Sequence, residues 1–279
     1  MTFVDGILFT INLHTVFMLV LTLLATFCCS SAVLNFSFDT SMSIVAVGTI
    51  FPLVFSVQAS YQRRERALAA LASLKGIIFT IYLMFKTWDK QGTGKPADEI
   101  QEFFNKLVED IVTFLRTKPT QENEVECAQL AHTVYDGFTT LAEKVNQLVP
   151  AAGYTKSGEG GMSRLQQYVR DLINHFENAR AVRDSETPVG LRLFCFALIH
   201  CSSIFLAPYW NHFCKRQKHS MLPAGVGCEA GYFVACFYVL INLTLYRVQR
   251  ELEDPFDGDG RDDVKWDLWR AQLSDLASY

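Results

Sequence analysis

The chain has 279 residues, of which 50% are hydrophobic, and its formal net charge is only −4. Nucleic-acid-binding proteins usually carry an excess of basic residues, which this chain lacks, so no nucleic-acid partner is expected. The apolar residues gather in long uncharged blocks with the charges between them. This pattern favours an all-α membrane protein over a soluble protein with a very apolar core.

Two uncharged segments near the N-terminus predict a first transmembrane hairpin. The first segment, 15–34, is long enough to cross about 30 Å of hydrocarbon. A cleaved signal peptide is disfavoured, because the opening residues MTFVDG are acidic and the uncharged run exceeds a usual signal core. The second segment, 40–61, is followed by good helix formers in 67–74, so we expect this helix to leave the membrane and continue into water.

The middle of the chain predicts a cytosolic bundle of helices. Residues 76–85 are apolar but too short to cross a membrane, which fits a buried helix. Residues 100–115 and 125–149 repeat apolar side chains at the i, i+3, i+4 spacing of amphipathic helices, and 162–182 predict a third helix. Stripes of this kind usually pack a core, so we assign these helices a structural role.

Two further uncharged segments, 193–214 and 230–246, predict a second transmembrane hairpin. Four spans place both chain ends on one side of the membrane, and the positive-inside rule makes that side cytosolic, because six arginines lie there. These arginines are Arg63, Arg64, Arg66, Arg192, Arg247 and Arg250. The basic segment 215–219 disagrees with this orientation, since it falls on the outer side.

Cysteines and histidines in or beside the spans can have structural roles or functional ones. Cys214 and Cys228 flank the loop between the third and fourth spans and would pair in an oxidising compartment, whereas two free thiols are the favoured alternative. His14, His200 and His212 have no acidic partner spaced beside them. We therefore expect hydrogen bonds to a neighbouring helix rather than proton transfer or ligand binding.

Three stretches resemble the bestrophin family and occur in that family's order. Residues 55–63, FSVQASYQR, resemble the pattern F-R-x-N-A-S-Y-D-R at the end of the second span. Thr187-Pro188-Val189 is similar to the proline-containing start of a later helix, and 253–259, EDPFDGD, resembles E-[ND]-P-F-G followed by acidic residues. The resemblance implies four transmembrane helices with a cytosolic helical bundle, assembled as a homopentamer around one pore for chloride and similar anions.

The resemblance divides the chain into four segments in sequence order. These are 1–74, a transmembrane hairpin with the pore-lining helix; 75–187, the cytosolic helices; 188–250, the second hairpin; and 251–279, an acidic loop and tail.

Three apolar residues of the second span, Val47, Phe51 and Phe55, recur every four positions and share one helix face. By register with the family they fall on the pore neck. Copies of this face around an axis would form apolar collars that gate by dewetting, and aromatic ring edges tolerate an anion better than a cation. The alternative is that these side chains pack against lipid or other helices.

Further candidates lie towards the cytosolic side. By register, Thr187 falls on the family's cytosolic constriction, where an apolar residue is often found. Arg63, Arg64 and Arg66 would raise the local anion concentration, or would only anchor the helix and pair with acidic neighbours. The aromatic residues that follow the family's arginine are absent here, so packing at this turn differs.

The resemblance also implies a calcium site in the acidic loop, which has the hard oxygen ligands that calcium prefers but not the spacing of an EF-hand. By register, Asp259 and Asp262 supply carboxylates, while Glu251 and Asp254 supply backbone carbonyls. Arg261 interrupts the acidic run and opposes a divalent ion. A solvated acidic turn is the alternative.

Together these observations predict a pentameric channel for chloride or bicarbonate, embedded in lipid. A non-conducting membrane scaffold of the same fold is the alternative. No enzyme is expected, because the sequence contains neither HExxH nor GxSxG and no paired acids within a span. Plasma membrane and organelle membrane both stay open.

Overall fold

The structure is a computed structural model that describes residues 12–39, 41–88, 95–151, 158–215, 222, 226, 228–260, 262–274 and 276. Within these ranges every element of regular secondary structure is a helix, which agrees with the all-α class expected from the sequence. In chain order the helices are α1 (Leu13–Cys29), α2 (Met42–Thr87), α3 (Lys95–Arg116), α4 (Glu124–Ala151), α5 (Gly158–Asp184), α6 (Val189–Phe205), α7 (Ala207–Lys215), α8 (Glu229–Glu251) and α9 (Trp266–Ser274).

Helix α1 is shorter than the span expected at 15–34. The side chain of Asn12 caps its start by accepting a hydrogen bond from the amide of Leu13 at 2.6 Å. The helix ends at Cys29 because the next residue, Ser30, has an extended backbone, and the chain then turns through Asn35 with a positive φ of 47°. Asparagine tolerates this left-handed conformation better than most residues.

Helix α2 is a single helix of 46 residues. The expectation that the second span continues past its arginines is confirmed. Gly76, where a separate helix was expected to begin, does not interrupt it. Pro52 lies inside the helix, where it lacks the N–H of one backbone hydrogen bond.

Among the described residues, two helical stretches are long and apolar enough to cross a membrane, Ser43–Thr87 and Glu229–Glu251. A third is reached if Gly160–Asp184 and Val189–Phe205, which are separated by a short break, count as one span. The expected third span is broken into α6 and α7 at Leu206, and α1 is apolar but has only 17 residues. The sequence-based count of four spans is therefore not reproduced by helix length and hydropathy.

The chain divides into two compact units, each built from non-consecutive stretches. The first contains residues 1–61 and 187–253, and in it α1 packs against α6, α7 and α8. Its core is formed by ten buried residues: Met18, Leu53, Cys195, Ile199, Leu206, Trp210, Ala235, Tyr238, Val239 and Leu243.

The second unit contains residues 62–186 and 254–279. In its core the apolar stripes of α3, α4 and α5 meet, with aromatic contacts such as Phe114 to Phe176, whose ring centroids are 5.5 Å apart. Helix α9 was not predicted from the sequence, although Trp266, Trp269 and Leu273 are buried at helical spacing. The sequence-based division into four segments stays a prediction.

Candidate functional site

One face of α2 is held by its own unit. The hydroxyl of Thr49 donates to the carbonyl of Val45 at 2.8 Å, so it accepts the hydrogen bond from the hydroxyl of Tyr238 on α8 at 2.6 Å. Leu53, one turn further along, is buried in the core. These contacts fix which face of α2 points towards α8.

The opposite face of α2 carries the expected neck residues. Positions 51 and 55 lie about 200° around the helix from position 53. Val47, Phe51 and Phe55 are 57%, 55% and 63% exposed, and the rings of Phe51 and Phe55 lie 6.0 Å apart between centroids. The structure thus brings these residues together on one apolar face that the described part of the chain leaves uncovered.

Thr187 is buried, and both of its hydrogen-bond donors point at Glu253. The backbone amide donates to Oε1 of Glu253 at 2.9 Å, and the hydroxyl donates to Oε2 at 2.9 Å. The hydroxyl of Ser60 on α2 donates to the same Oε2 at 3.0 Å. In this chain Thr187 therefore contacts a carboxylate in the interior, and its role as a constriction stays a prediction.

Glu253 was not recognised as functional from the sequence. It is the glutamate that opens the EDPF stretch, and only 8% of it is exposed. A glutamate at the end of an apolar helix is a weak signal, because most such residues are solvated. Its partners Ser60 and Thr187 lie far away in sequence.

Two of the three candidate anion-attracting arginines are engaged with backbone carbonyls of their own unit. Arg63 donates to the carbonyls of Val182 and Ser185 at the end of α5. Arg64 donates to the carbonyl of Asp262 at 2.6 Å and to Glu65 at 2.9 Å. Cationic groups at a helix C-terminus stabilise the partial negative charge there, so Arg63 has a clear structural role.

Arg66 has a different setting. Its side chain is exposed and lines an open cavity of about 450 Å³ in the second unit. His175 and Asn178 of α5 line the same cavity, with small residues of α2 between them. Among the three candidates, Arg66 has the side chain most available to a solvent anion.

The acidic loop is closed largely by its own backbone. The carboxylates of Asp254, Asp257 and Asp263 accept hydrogen bonds from the amides of Phe256, Asp259 and Gly260 respectively. Such bonds satisfy the loop without a metal, as in ordinary Asx turns.

Two protein cations also occupy the surroundings of this loop. The ammonium of Lys118 lies 3.7 Å from the carboxylate of Asp254, and Arg64 already uses the carbonyl of Asp262. No group of three or more potential metal-ligating side chains occurs among the described residues. The arrangement therefore fits calcium poorly, and the implied site at Glu251, Asp254, Asp259 and Asp262 stays a prediction.

The remaining candidates behave as follows. His14 and His200 are hydrogen-bonded to each other between their Nε2 atoms at 3.0 Å, which confirms for these two the expected bond to a neighbouring helix. His212 differs, because its Nε2 lies 3.7 Å from the carboxylate of Asp39. Nδ1 of His200 lies 2.7 Å from the carbonyl of Phe196 and so carries the proton when the ring is neutral, which leaves its Nε2 to accept from His14. Cys228 is disulfide-bonded, against the favoured expectation of free thiols, whereas the side chain of Cys214 lies outside the described residues.

Comparison with solved structures identifies the fold. A bacterial bestrophin homologue from Klebsiella pneumoniae shares 16% identity with the chain at a TM-score of 0.73, over 95% of this chain and 97% of that chain. A second structure of such a homologue gives 14% identity, a TM-score of 0.72 and coverages of 94% and 96%. A structure described as a membrane protein gives 13% identity, a TM-score of 0.75 and coverages of 94% and 95%.

No protein-family model and no curated protein sequence matches the chain. At these identities the structural likeness shows the fold alone. The resemblance to bestrophins that the three sequence stretches indicated is confirmed at that level.

Proposed function

From this bestrophin fold, we propose that the protein is an anion channel in which five copies of the chain surround one pore, with α2 lining it. The observation that carries the proposal is the uncovered face of Val47, Phe51 and Phe55. The same helix buries its opposite face against its own unit, so this aromatic face must meet lipid, another copy or a pore.

The chemistry of this face suits anions. Phenylalanine edges carry the positive part of the ring quadrupole, which attracts an anion weakly and does not hold it. A narrow apolar ring also loses its water when it closes, which gives a gate without charged groups. Chloride and bicarbonate are both small enough for such a pore, and the proposal covers both.

In the channel that we propose, each chain crosses the membrane four times, through α1, the first part of α2, α6 with α7, and α8. Helix α1 is about 26 Å long for its 17 residues, somewhat short of a hydrocarbon core of about 30 Å. Local thinning of the bilayer or flanking apolar residues accommodate such a mismatch at modest cost. The disulfide at Cys228 supports an outer position for the loop before α8, since disulfides persist in oxidising compartments.

Calcium gating is not part of this proposal. The acidic loop is already satisfied by backbone amides, Lys118 and Arg64. Arg66 is the residue we propose to concentrate anions on the cytosolic side, because its charge faces solvent.

The test is reconstitution of the purified protein in planar bilayers. The wild type should carry anion current, and Phe51→Ala and Phe55→Ala should change its unitary conductance or its open probability. The matched controls are Phe233→Ala and Phe237→Ala on α8. These two phenylalanines are 70% and 57% exposed and stack on each other at helical spacing, so they resemble the neck pair without belonging to α2.

A current that responds to the neck variants and not to the α8 controls supports the channel. No current from a correctly assembled protein would leave the non-conducting scaffold as the function. Assembly is checked by mass photometry, which should give five times the chain mass of 31.6 kDa, corrected for detergent. A single-chain mass would remove the pore altogether.

A further inference from the structure

A buried carboxylate joins three helices of the first unit. Oε2 of Glu253 accepts hydrogen bonds from the hydroxyls of Ser60 and Thr187 and, more weakly, from the side-chain amide of Gln249 at 3.4 Å. Oε1 accepts from the backbone amide of Thr187. These donors belong to α2, to the residues that start α6, and to the last turn of α8.

We propose that Glu253 is a positioning residue for the gate, which ties the end of the neck-bearing part of α2 to the start of α6. The proposal rests on the proposed channel function. Glu253 is 8% exposed, and its partners Ser60, Thr187 and Gln249 are 0%, 7% and 1% exposed. A group so enclosed does not meet a permeating anion and acts only through the helices it holds.

The position of Ser60 makes this connection relevant to the neck. Ser60 lies five residues after Phe55 on the same helix, so its anchoring limits how far Phe55 moves or turns. Pro52 lies between the two neck phenylalanines and has no N–H to donate to the carbonyl of Gly48, so the turn 48–52 lacks one backbone hydrogen bond. Phe55 thus lies between a turn that lacks one backbone hydrogen bond and the Glu253 contact.

Helix α6 also contacts α2 at Pro52. The thiol of Cys195 lies 3.7 Å from the carbonyl of Pro52. The start of α6 is fixed through Thr187, which precedes the N-cap Pro188. Pro188 has no side-chain hydrogen bond to cap the helix, so the Glu253–Thr187 contact is the polar anchor of this helix start.

The arrangement requires a carboxylate. All four groups around Glu253 donate hydrogen bonds to it. The backbone N–H of Thr187 can only donate, so it needs an acceptor at this position. Glutamine has nearly the same shape, but its NH2 group would face the backbone amide of Thr187 in the place of Oε1. In the place of Oε2 it would face the side-chain amide of Gln249 and would require the hydroxyls of Ser60 and Thr187 to accept instead of donate. Glu253→Gln therefore removes part of the contact with little change in volume.

Single-channel recording tests the proposal with Glu253→Gln, Thr187→Val and the double variant. Each single variant should change the open-to-closed ratio by about tenfold, the size expected for one lost hydrogen bond to a charge. Both changes should have the same direction, and the double variant should add little, because the two side chains share one interaction. In Glu253→Gln, unitary conductance and anion selectivity should stay at wild-type values.

Two further variants serve as controls. Thr187→Ser keeps both donors and should keep the wild-type open-to-closed ratio. Glu143→Gln neutralises an exposed carboxylate on α4 and should leave gating unchanged. An additive double variant, unchanged gating in both single variants, or an altered anion selectivity in Glu253→Gln would overturn the proposal.

A second measurement separates this inference from the channel function. The unfolding temperatures of the wild type, Glu253→Gln, Thr187→Val and the double variant in detergent form a double-mutant cycle that does not depend on current. The same measurement identifies a variant that fails to assemble. If the wild type conducts and this cycle is additive, the positioning role is wrong and the channel stands. If the assembled wild type carries no current, both the channel and the gating role are wrong, and a non-additive cycle then shows only a structural contact.

Discussion

The hydroxyl of Tyr238 on α8 donates a hydrogen bond of 2.6 Å to the hydroxyl of Thr49 on α2. This bond sets the rotation of α2 about its own axis, and with it the direction of the neck face. Tyr238→Phe should lower the free energy of unfolding by about 1 kcal/mol, the usual net value of one hydrogen bond. Thermal unfolding in detergent measures this.

Thr49→Val should have a similar effect on unfolding, and the two changes should not add. Tyr61→Phe is the control, because Tyr61 is 47% exposed. Equal effects of Tyr238→Phe and Tyr61→Phe would show that the bond does not hold α2.

A carboxylate in the neck gives a sharper test of the pore than alanine does. Phe55→Glu would place a ring of negative charges around the axis, so the permeability to anions should fall relative to cations. Reversal potentials in asymmetric salt measure that ratio. Phe237→Glu on α8 is the matched substitution outside the neck and should leave the ratio unchanged, whatever it does to yield.

The acidic loop predicts a weak response to calcium. Because Lys118 and Arg64 already lie against the loop and backbone amides occupy three of its carboxylates, calcium should change neither the open probability nor the unfolding temperature appreciably. Recordings with calcium and with a chelator check this.

The opposite result would restore the calcium site implied by the resemblance. In that case Asp259→Asn and Asp262→Asn should abolish a calcium-dependent rise in the unfolding temperature, and Glu143→Gln should not.

The second unit contains a carboxyl group, that of Asp110, whose surroundings disfavour its charged form. Burial raises the pKa of Asp110, with a smaller contribution in the same direction from Glu109, while Lys106 lowers it. A carboxyl whose folded pKa is raised stabilises the fold when protonated, and this stabilisation is lost as the pH rises through the folded pKa.

Asp110→Asn should therefore raise the unfolding temperature at neutral pH, with a smaller gain at mildly acidic pH where the wild-type carboxyl is protonated. Asp136→Asn on α4 provides the comparison. An equal gain at both pH values would show that the charge of Asp110 is not the cause.

Periodicity in the sequence was sufficient for most helices and for the neck face. The spacing of Val47, Phe51 and Phe55 gave their common face, and the exposed side of α2 matches it. The end of α1 was missed, because hydropathy continues smoothly past Ser30 and only its backbone conformation stops the helix. Helix α9 was missed because its few apolar residues are interleaved with charges.

The polar contacts were beyond sequence reasoning for a different reason. Glu253 is separated by 193 positions from Ser60 and by 66 from Thr187, so no local pattern links them. The same holds for Lys118, which pairs with Asp254 only after the second unit has folded. Such pairs depend on tertiary structure, which a single sequence does not reveal.

The disulfide at Cys228 has a practical consequence for how the protein is made. A thiol pair of this kind is formed by the oxidising machinery of a secretory lumen or a periplasm, and a chain synthesised without translocation would keep both sulfurs reduced. Cell-free synthesis into detergent under reducing buffer should therefore yield a chain in which Cys228 is a free thiol. Production in a host that inserts the chain across an oxidising membrane system is the route to the intact protein.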